Sequence, residues 1–274
     1  MSTFTKGCEF DFMAQRPMYA ACPGWLVDHC RIDESSNVVD LGCGSGILTQ
    51  LLLQRFEHSA GLRITAIDPS EWELNIARGR ISDNRVTFIR GTAQEALRIV
   101  KEGADAVLLC NVLHQVPLVE RRSVLEGAFE LLRSGGMVGV NTLFYDGGIG
   151  ADTRPFYVRW MAETRAYLRR EGIRWTPPDA TAVALQRLTP DQHRELLISI
   201  GFKDVKVEEV PFDWGVEDWE ALCKYSVFIQ GALTPDIDLE VGSQALTEGA
   251  KATYKALGIG TVRRGWLHCV GTRP

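Results

Sequence analysis

The sequence predicts an α/β fold built on a seven-stranded, mostly parallel sheet with helices on both faces and an inserted helical cap. Two observations lead to this prediction. Between residues 38 and 143, apolar segments of strand length alternate with helical stretches, a pattern typical of a parallel sheet that is buried on both faces. The segment VVDLGCGSGIL, residues 38–48, places a glycine-rich turn between a strand and a helix, where backbone N–H groups can face a ligand.

The strands and helices follow one another in a regular order. The predicted strands are NVVDL, LRITAI, RVTFI, ADAVLLC, MVGVNTL, KDVKVEEV at 203–210, and an antiparallel last strand, RRGWLHCV. Helices are predicted at 9–30 (interrupted at Pro23), 155–170, 190–200, 216–229 and 243–257, besides those between the first strands. The expected organisation is an N-terminal helical lid at 1–34, a core at 35–144, 189–212 and 261–274, and cap insertions for substrate at 145–188 and 213–260.

Composition narrows the classes of function. The 274 residues carry a net charge of −5 and no long basic run, so no nucleic-acid or membrane partner is expected. The N-terminus has no signal-peptide pattern, and the seven cysteines form no CxxC pair, which favours a cytoplasmic protein without structural zinc. Oligomeric state, a homodimer included, is left open.

The glycine turn carries a carboxylate at its mouth. Ile47 stands where a dinucleotide-binding fingerprint needs a small residue, and no Lys-Ser/Thr pair follows as in a P-loop. Asp40 would repel a pyrophosphate but would suit a cationic amino group. These residues favour a nucleotide-like ligand without phosphates, and an NAD(P)-dependent oxidoreductase remains the alternative.

Further motifs extend the pattern. VVDLGCGSG, ITAIDPS, FIRGTAQEAL, DAVLLCNVLHQVP and ELLRSGGMVGV occur in that order, and together they resemble the motifs of the class I S-adenosylmethionine-dependent methyltransferases of the small-molecule type. The resemblance implies a Rossmann-like fold, S-adenosyl-L-methionine as cofactor and S-adenosyl-L-homocysteine as product. It covers residues 35–143 well, 189–211 and 262–271 in outline, and the insertions poorly.

The resemblance also implies roles for single residues. Asp40 would face the amino group of the cofactor, Asp68 would accept from the ribose hydroxyls, and Pro69 or Ser70 would lie against the adenine. Asn111 would lie near the amino-acid end. The remaining cofactor-binding residues that it implies are Gly42, Cys43, Gly44, Gly46, Thr92, Ala93 and Gln94. Many relatives have an acid where this chain has Thr92, which can accept only weakly.

The reaction implied is transfer of a methyl group by in-line displacement to an O, N or C atom of a small, largely apolar or aromatic metabolite, as in secondary-metabolite biosynthesis. His114, just beyond the fourth strand, is the candidate base because imidazole titrates near neutrality; the alternative is that it only shapes the pocket. Cys110 and Asn111 stand where metal-assisted transfer would need clustered acids, so no metal is expected. The candidate substrate residues are Arg16, Tyr19, His114, Tyr145, Trp160 and Tyr225. A catalytically silent cofactor-binding protein is the third hypothesis.

Overall fold

One seven-stranded sheet organises the protein. The computed structural model describes residues 9–100, 103–177, 183–233 and 237–274. The strands are β1 (Asn37–Leu41), β2 (Arg63–Asp68), β3 (Val86–Arg90), β4 (Ala104–Cys110), β5 (Leu132–Thr142), β6 (Lys203–Trp214) and β7 (Val262–Thr272). Their order is β3-β2-β1-β4-β5-β7-β6. β1 to β5 pair in parallel, and β7 is antiparallel to both β5 and β6. The predicted fold class is confirmed.

Helices cover both faces of the sheet and one end of it. They are α1 (Glu9–Ala14), α2 (Pro17–His29), α3 (Ile47–Arg55), α4 (Glu71–Arg80), α5 (Ala96–Ile99), α6 (Arg121–Leu131), α7 (Arg154–Arg170), α8 (Pro190–Ile200), α9 (Val216–Leu222), α10 (Ser226–Ala232) and α11 (Leu239–Leu257). None of the helices in these residues combines the length and apolarity needed to cross a lipid bilayer.

The N-terminal helix breaks earlier than the sequence indicates. α2 continues through Pro23, and the break falls before Pro17. Arg16 has φ −85° and ψ 137°, the extended conformation that a following proline imposes on its predecessor. Pro17 then occupies the first helical position, where its missing N–H is not needed. α2 is therefore one continuous helix over the carboxyl edge of the sheet.

The second insertion also differs in detail. The helix predicted at 216–229 is two helices, α9 and α10, and the helix predicted at 243–257 begins at Leu239. Asp238 ends the preceding loop and accepts hydrogen bonds from the backbone N–H groups of Glu240 and Val241 at the start of α11, as an N-cap residue does.

The cap has a hydrophobic core of its own. Its largest fully buried side chains are those of Trp160, Trp214, Trp219 and Trp266. The Trp160 and Trp219 rings meet edge to face, with centroids 5.0 Å apart, a favourable aromatic geometry. Most of the aromatic residues in the insertions therefore stabilise the cap, and few are left to contact a ligand.

Candidate functional site

A cavity of about 450 Å³ opens at the carboxyl edge of β1, β2 and β4, where open α/β sheets bind ligands. Ten of the residues expected to bind the cofactor line it: Asp40, Gly42, Cys43, Gly44, Asp68, Pro69, Thr92, Ala93, Gln94 and Asn111. Gly46 is not part of the lining. It begins α3 with φ 86°, and a Cβ there would lie 2.9 Å from Ile81, so its role is close packing against α4.

The glycine turn forms one wall of the cavity. Gly42 has φ 74°, and a Cβ at this position would come within 2.5 Å of the Val112 side chain. Gly44 has φ 51°, yet a Cβ would meet no atom within 4 Å. Its backbone therefore borders open space, as a turn that receives a ligand requires.

Asp40 lies beneath this turn without any exposed surface. One carboxylate oxygen, Oδ2, accepts a hydrogen bond of 2.8 Å from the Thr49 hydroxyl. The other oxygen, Oδ1, is buried and has no partner among the described residues. Burial raises the pKa of the Asp40 carboxyl to about 7, partly opposed by the Thr49 hydrogen bond. A buried acceptor without a donor is costly, and a cationic ligand group in the cavity would satisfy it.

Asp68 fixes the geometry on the opposite side of the turn. Its two carboxylate oxygens accept from the backbone N–H groups of Ser70 (2.8 Å) and Gly44 (2.9 Å). Burial raises the pKa of Asp68, and these two hydrogen bonds oppose that shift. The carboxylate retains lone pairs toward the cavity, so it can accept from paired hydroxyl groups of a ligand.

Asn111 is held in a left-handed conformation, with φ 58°, which is uncommon outside glycine. Its backbone N–H donates to the Asn141 side chain at 2.8 Å, and its own side-chain oxygen accepts from the Leu143 N–H at 3.0 Å. β4 and β5 are thus joined at the point where both end, and Asn111 lies against the cavity between them.

The far side of the cavity is built by two cap helices. Tyr19 and Pro23 of α2 face it from one direction, and Tyr225, Ser226 and Val227 at the start of α10 face it from another. Tyr19 and Tyr225, two of the expected substrate residues, therefore stand at the cavity.

His114 lies behind this wall and is not part of the lining. Its Nε2 is 3.4 Å from the Tyr225 hydroxyl, and its Nδ1 is 3.4 Å from the Thr142 hydroxyl. Its ring packs on Phe144 with centroids 4.5 Å apart. Burial lowers the pKa of His114 to about 3, assisted by the positive charges of Arg121 and Arg187. The imidazole is neutral at physiological pH, and only the Tyr225 hydroxyl separates it from the cavity.

Three other expected substrate residues lie elsewhere. Arg16 forms an ion pair of 2.5 Å with Asp218, which ties α2 to α9. The Tyr145 side chain is buried and its hydroxyl donates to Glu209. Trp160 donates its indole N–H to the Leu246 carbonyl at 2.7 Å inside the cap core. The expectation that these residues contact substrate is corrected, because the partner of each lies in another part of the fold.

Sequence reasoning missed part of the lining. The cavity also contacts Pro23, Ser45, Ile47, Leu48, Glu73, Cys110, Val112, Gln115, Val116, Ser226 and Val227. Glu73 and Ile47 belong to helices that follow the two binding loops, so their position next to those loops was a usable signal. No local pattern marks Ser226 or Val227, which reach the cavity only through the fold of the cap. Within the described ranges, no group of three or more His, Cys, Asp or Glu side chains is arranged to hold a metal ion.

Comparison with known proteins gives matches of one kind. A family model described as a methyltransferase domain matches residues 38–136. The ubiquinone biosynthesis O-methyltransferase of Stutzerimonas stutzeri is 28% identical over 133 residues, which are 47% of this chain and 54% of that protein. The enzyme of the same name from Bordetella pertussis is 32% identical over 134 residues, 47% of this chain and 52% of its own length. The chain thus spans about half the length of the curated relatives it matches.

Solved structures agree at the level of the fold. A SAM-dependent methyltransferase from Archaeoglobus fulgidus superposes with a TM-score of 0.55 at 14% identity, covering 96% of this chain and 97% of its own. The phosphoethanolamine N-methyltransferase 2 of Haemonchus contortus, solved with S-adenosylhomocysteine, gives 0.57 at 17% identity, covering 99% of this chain and 58% of its own. With the family match over β1 to β5 and the acids and glycines gathered at the cavity, these likenesses place the chain among the class I S-adenosylmethionine-dependent methyltransferases.

Proposed function

We propose that this protein transfers a methyl group to an oxygen atom of a small, largely apolar or aromatic metabolite, in a site that uses no metal ion. The single observation that carries the proposal is the orphaned Oδ1 atom of Asp40 at the mouth of the glycine turn. An ammonium group placed there satisfies the atom, and S-adenosylmethionine has such a group together with a ribose and no phosphate.

The cavity fits this cofactor at two separate points. Asp40 would hold the ammonium group, and Asp68 would accept from the ribose hydroxyls because its oxygens already bind the turn from the other side. The turn leaves open space at Gly44 for the ligand backbone. When bound, the cofactor supplies an electrophilic methyl group on a positively charged sulfur.

The protein's own contribution is positioning. Holding reactants in line can supply roughly 7–11 kcal/mol in favourable cases, and α2 and α10 close over the cavity with Tyr19 and Tyr225 facing it. The neutral His114 fixes the Tyr225 hydroxyl from behind. An oxygen acceptor is favoured because the curated relatives are named O-methyltransferases; nitrogen and carbon acceptors are the alternatives.

The test uses a methyl-labelled cofactor. The protein is incubated with deuteromethyl S-adenosylmethionine and an extract of its source cells, and small products are examined by mass spectrometry. A metabolite that gains one labelled methyl identifies the acceptor atom. Binding of S-adenosylhomocysteine with no labelled product would favour a catalytically silent binding protein. Tight binding of NAD(P)H in place of S-adenosylhomocysteine would favour an oxidoreductase and would overturn the proposal.

A further inference from the structure

A guanidinium group lies buried beyond the cavity without a carboxylate partner. Arg264, near the start of β7, is only 4% exposed. Its Nη1 donates to the Tyr157 hydroxyl at 2.5 Å, and its Nη2 donates to the Leu143 carbonyl at 3.0 Å. Its Nε is buried and has no partner, and the ion pairs found within the described ranges do not include Arg264. A buried charge usually has a counter-ion, and here none is in contact.

A second guanidinium faces the same place. Burial and the positive charge of Arg264 lower the pKa of Arg187, opposed by Tyr157 and Asp146. The acids that act on this cluster, Asp146 and Glu209, are themselves exposed, and Glu209 accepts from Tyr145. Two like charges in one apolar environment repel each other, so the cluster favours the arrival of an anion.

A continuous series of contacts links this cluster to the cavity. Tyr225 lines the cavity and lies 3.4 Å from His114. His114 feels the positive charge of Arg187, and Arg187 that of Arg264. Leu143, which accepts from Arg264, directly follows β5. The arginines therefore lie at the same carboxyl edge of the sheet, beyond the end of the cavity that Tyr225 closes.

The surfaces between these two points are aromatic. The Phe144 ring lies 5.9 Å from the Tyr225 ring and 6.3 Å from the Phe228 ring. Phe228 in turn stacks on Trp160 at 5.7 Å. A ligand that joins the cavity to the arginines would meet these rings along its length and a double positive charge at its end.

We propose that Arg264 and Arg187 bind a carboxylate of the acceptor, so that the substrate is a small aromatic acid. This inference rests on the proposed function, because it names the substrate class of the same site. Guanidinium groups match carboxylates in shape and charge, and the Arg264 Nε–H is a donor with no other use. A purely structural clamp between Tyr157 and Leu143 accounts for Nη1 and Nη2 but not for the orphaned Nε or for the second arginine.

Carboxylate binding would also change the environment of His114. Arg121 and Arg187 both disfavour its protonated form, and an anion beside Arg187 would oppose that effect. The acceptor would therefore bring with it part of the charge that allows the imidazole to take up a proton.

The test compares acids with their neutral amides. The protein, saturated with S-adenosylhomocysteine, is titrated calorimetrically with benzoate, salicylate and phenylacetate, and with benzamide, salicylamide and phenylacetamide. We expect at least one acid to bind ten times more tightly than its amide. Arg264→Met, which keeps the side-chain volume and removes the charge, should abolish the difference, and Arg264→Lys should keep part of it.

Matched variants keep the result interpretable. Arg263→Met alters the neighbouring residue of β7, whose side chain is 64% exposed and faces Asp213, and it should leave the preference unchanged. Unchanged affinity for S-adenosylhomocysteine shows that a variant is folded. Should Arg264→Met not fold, Arg187→Met tests the same charge and should reduce the preference at least threefold.

Several outcomes would overturn the inference. They are equal binding or no binding of acids and amides by the unaltered protein, and an acid preference that survives Arg264→Met in folded protein. A third is displacement of salicylate by inorganic phosphate at equal or lower concentration, which would mean that the arginines hold a free anion. Methyl transfer to neutral acceptors only would refute this inference and leave the proposed function intact, whereas acid binding without any methyl transfer would do the reverse.

Discussion

The buried carboxyl of Asp40 makes cofactor binding depend on pH. In the free protein its pKa is raised to about 7 because the group has no exposure to water. The ammonium group of the cofactor requires the carboxylate form. Binding should therefore strengthen as the pH rises through neutrality, since a raised carboxyl pKa means that the charged form is disfavoured until a partner arrives.

The magnitude follows from the fraction of protein that is ionised. With a pKa of about 7, roughly 3% of Asp40 is ionised at pH 5.5, half at pH 7 and about 90% at pH 8. Because apparent affinity scales with the competent fraction, the dissociation constant should fall ~30-fold between pH 5.5 and pH 8.

Two comparisons isolate the carboxyl group. Calorimetric titration with S-adenosylhomocysteine should show the full slope, and 5′-methylthioadenosine, which lacks the amino-acid portion, should show almost none. Asp40→Asn should flatten the slope, whereas Asp83→Asn, at a surface group 26% exposed and paired with Arg85, should not. Equal slopes for both ligands, or a slope that persists in Asp40→Asn, would refute the assignment of Asp40 to the ammonium group.

Three further predictions concern the rest of the site. Asp68→Ala should weaken binding of S-adenosylhomocysteine at least tenfold, because a charge-assisted hydrogen bond contributes about 1.5–3 kcal/mol; unchanged affinity in a titration would disprove the ribose contact. At saturating cofactor, the turnover of the unaltered protein should show no inflection near pH 6.5 that is lost in His114→Gln, since the pKa of free His114 is held at about 3; such an inflection would mean that substrate binding restores its basicity. Arg16→Met should lower the free energy of unfolding in urea by about 1–3 kcal/mol, because it leaves the Asp218 carboxylate, 9% exposed, without its partner. The exposed Arg55 gives the matched control, and its change to Met should cost less than about 1 kcal/mol.

The cofactor side could be predicted from the sequence because its residues are close along the chain. Each loop follows its own strand, so Asp40 and Asp68 come to the carboxyl edge of β1 and β2 once the parallel order is known. The motifs thus contain both the elements and their direction. Gly46 was assigned to the same function as Gly42 because the spacing alone does not show which glycine faces the cavity and which packs on α4.

The acceptor side could not be predicted because its contacts join distant segments. Tyr145 follows β5 directly, as a site residue should, but its hydroxyl turns to Glu209, 64 residues away. Trp160 has the helical spacing of a buried face, yet only the position of α11 decides that this face packs inside the cap. A pattern shows that a side chain is buried, and the tertiary partner determines whether it is buried against protein or against a ligand.

The closure of the acceptor side depends on a few such distant pairs. Arg16 and Asp218 are 202 residues apart, and His114 and Tyr225 are 111 apart. The first pair holds α2 against α9, and the second holds the start of α10 against the end of β4. Because α2 and α10 supply the side chains that face the cavity opposite the glycine turn, any ligand that enters from that side must displace one of these helices. We therefore expect selectivity for the acceptor to change with substitutions in these two pairs, while affinity for the cofactor follows the loops of β1 and β2.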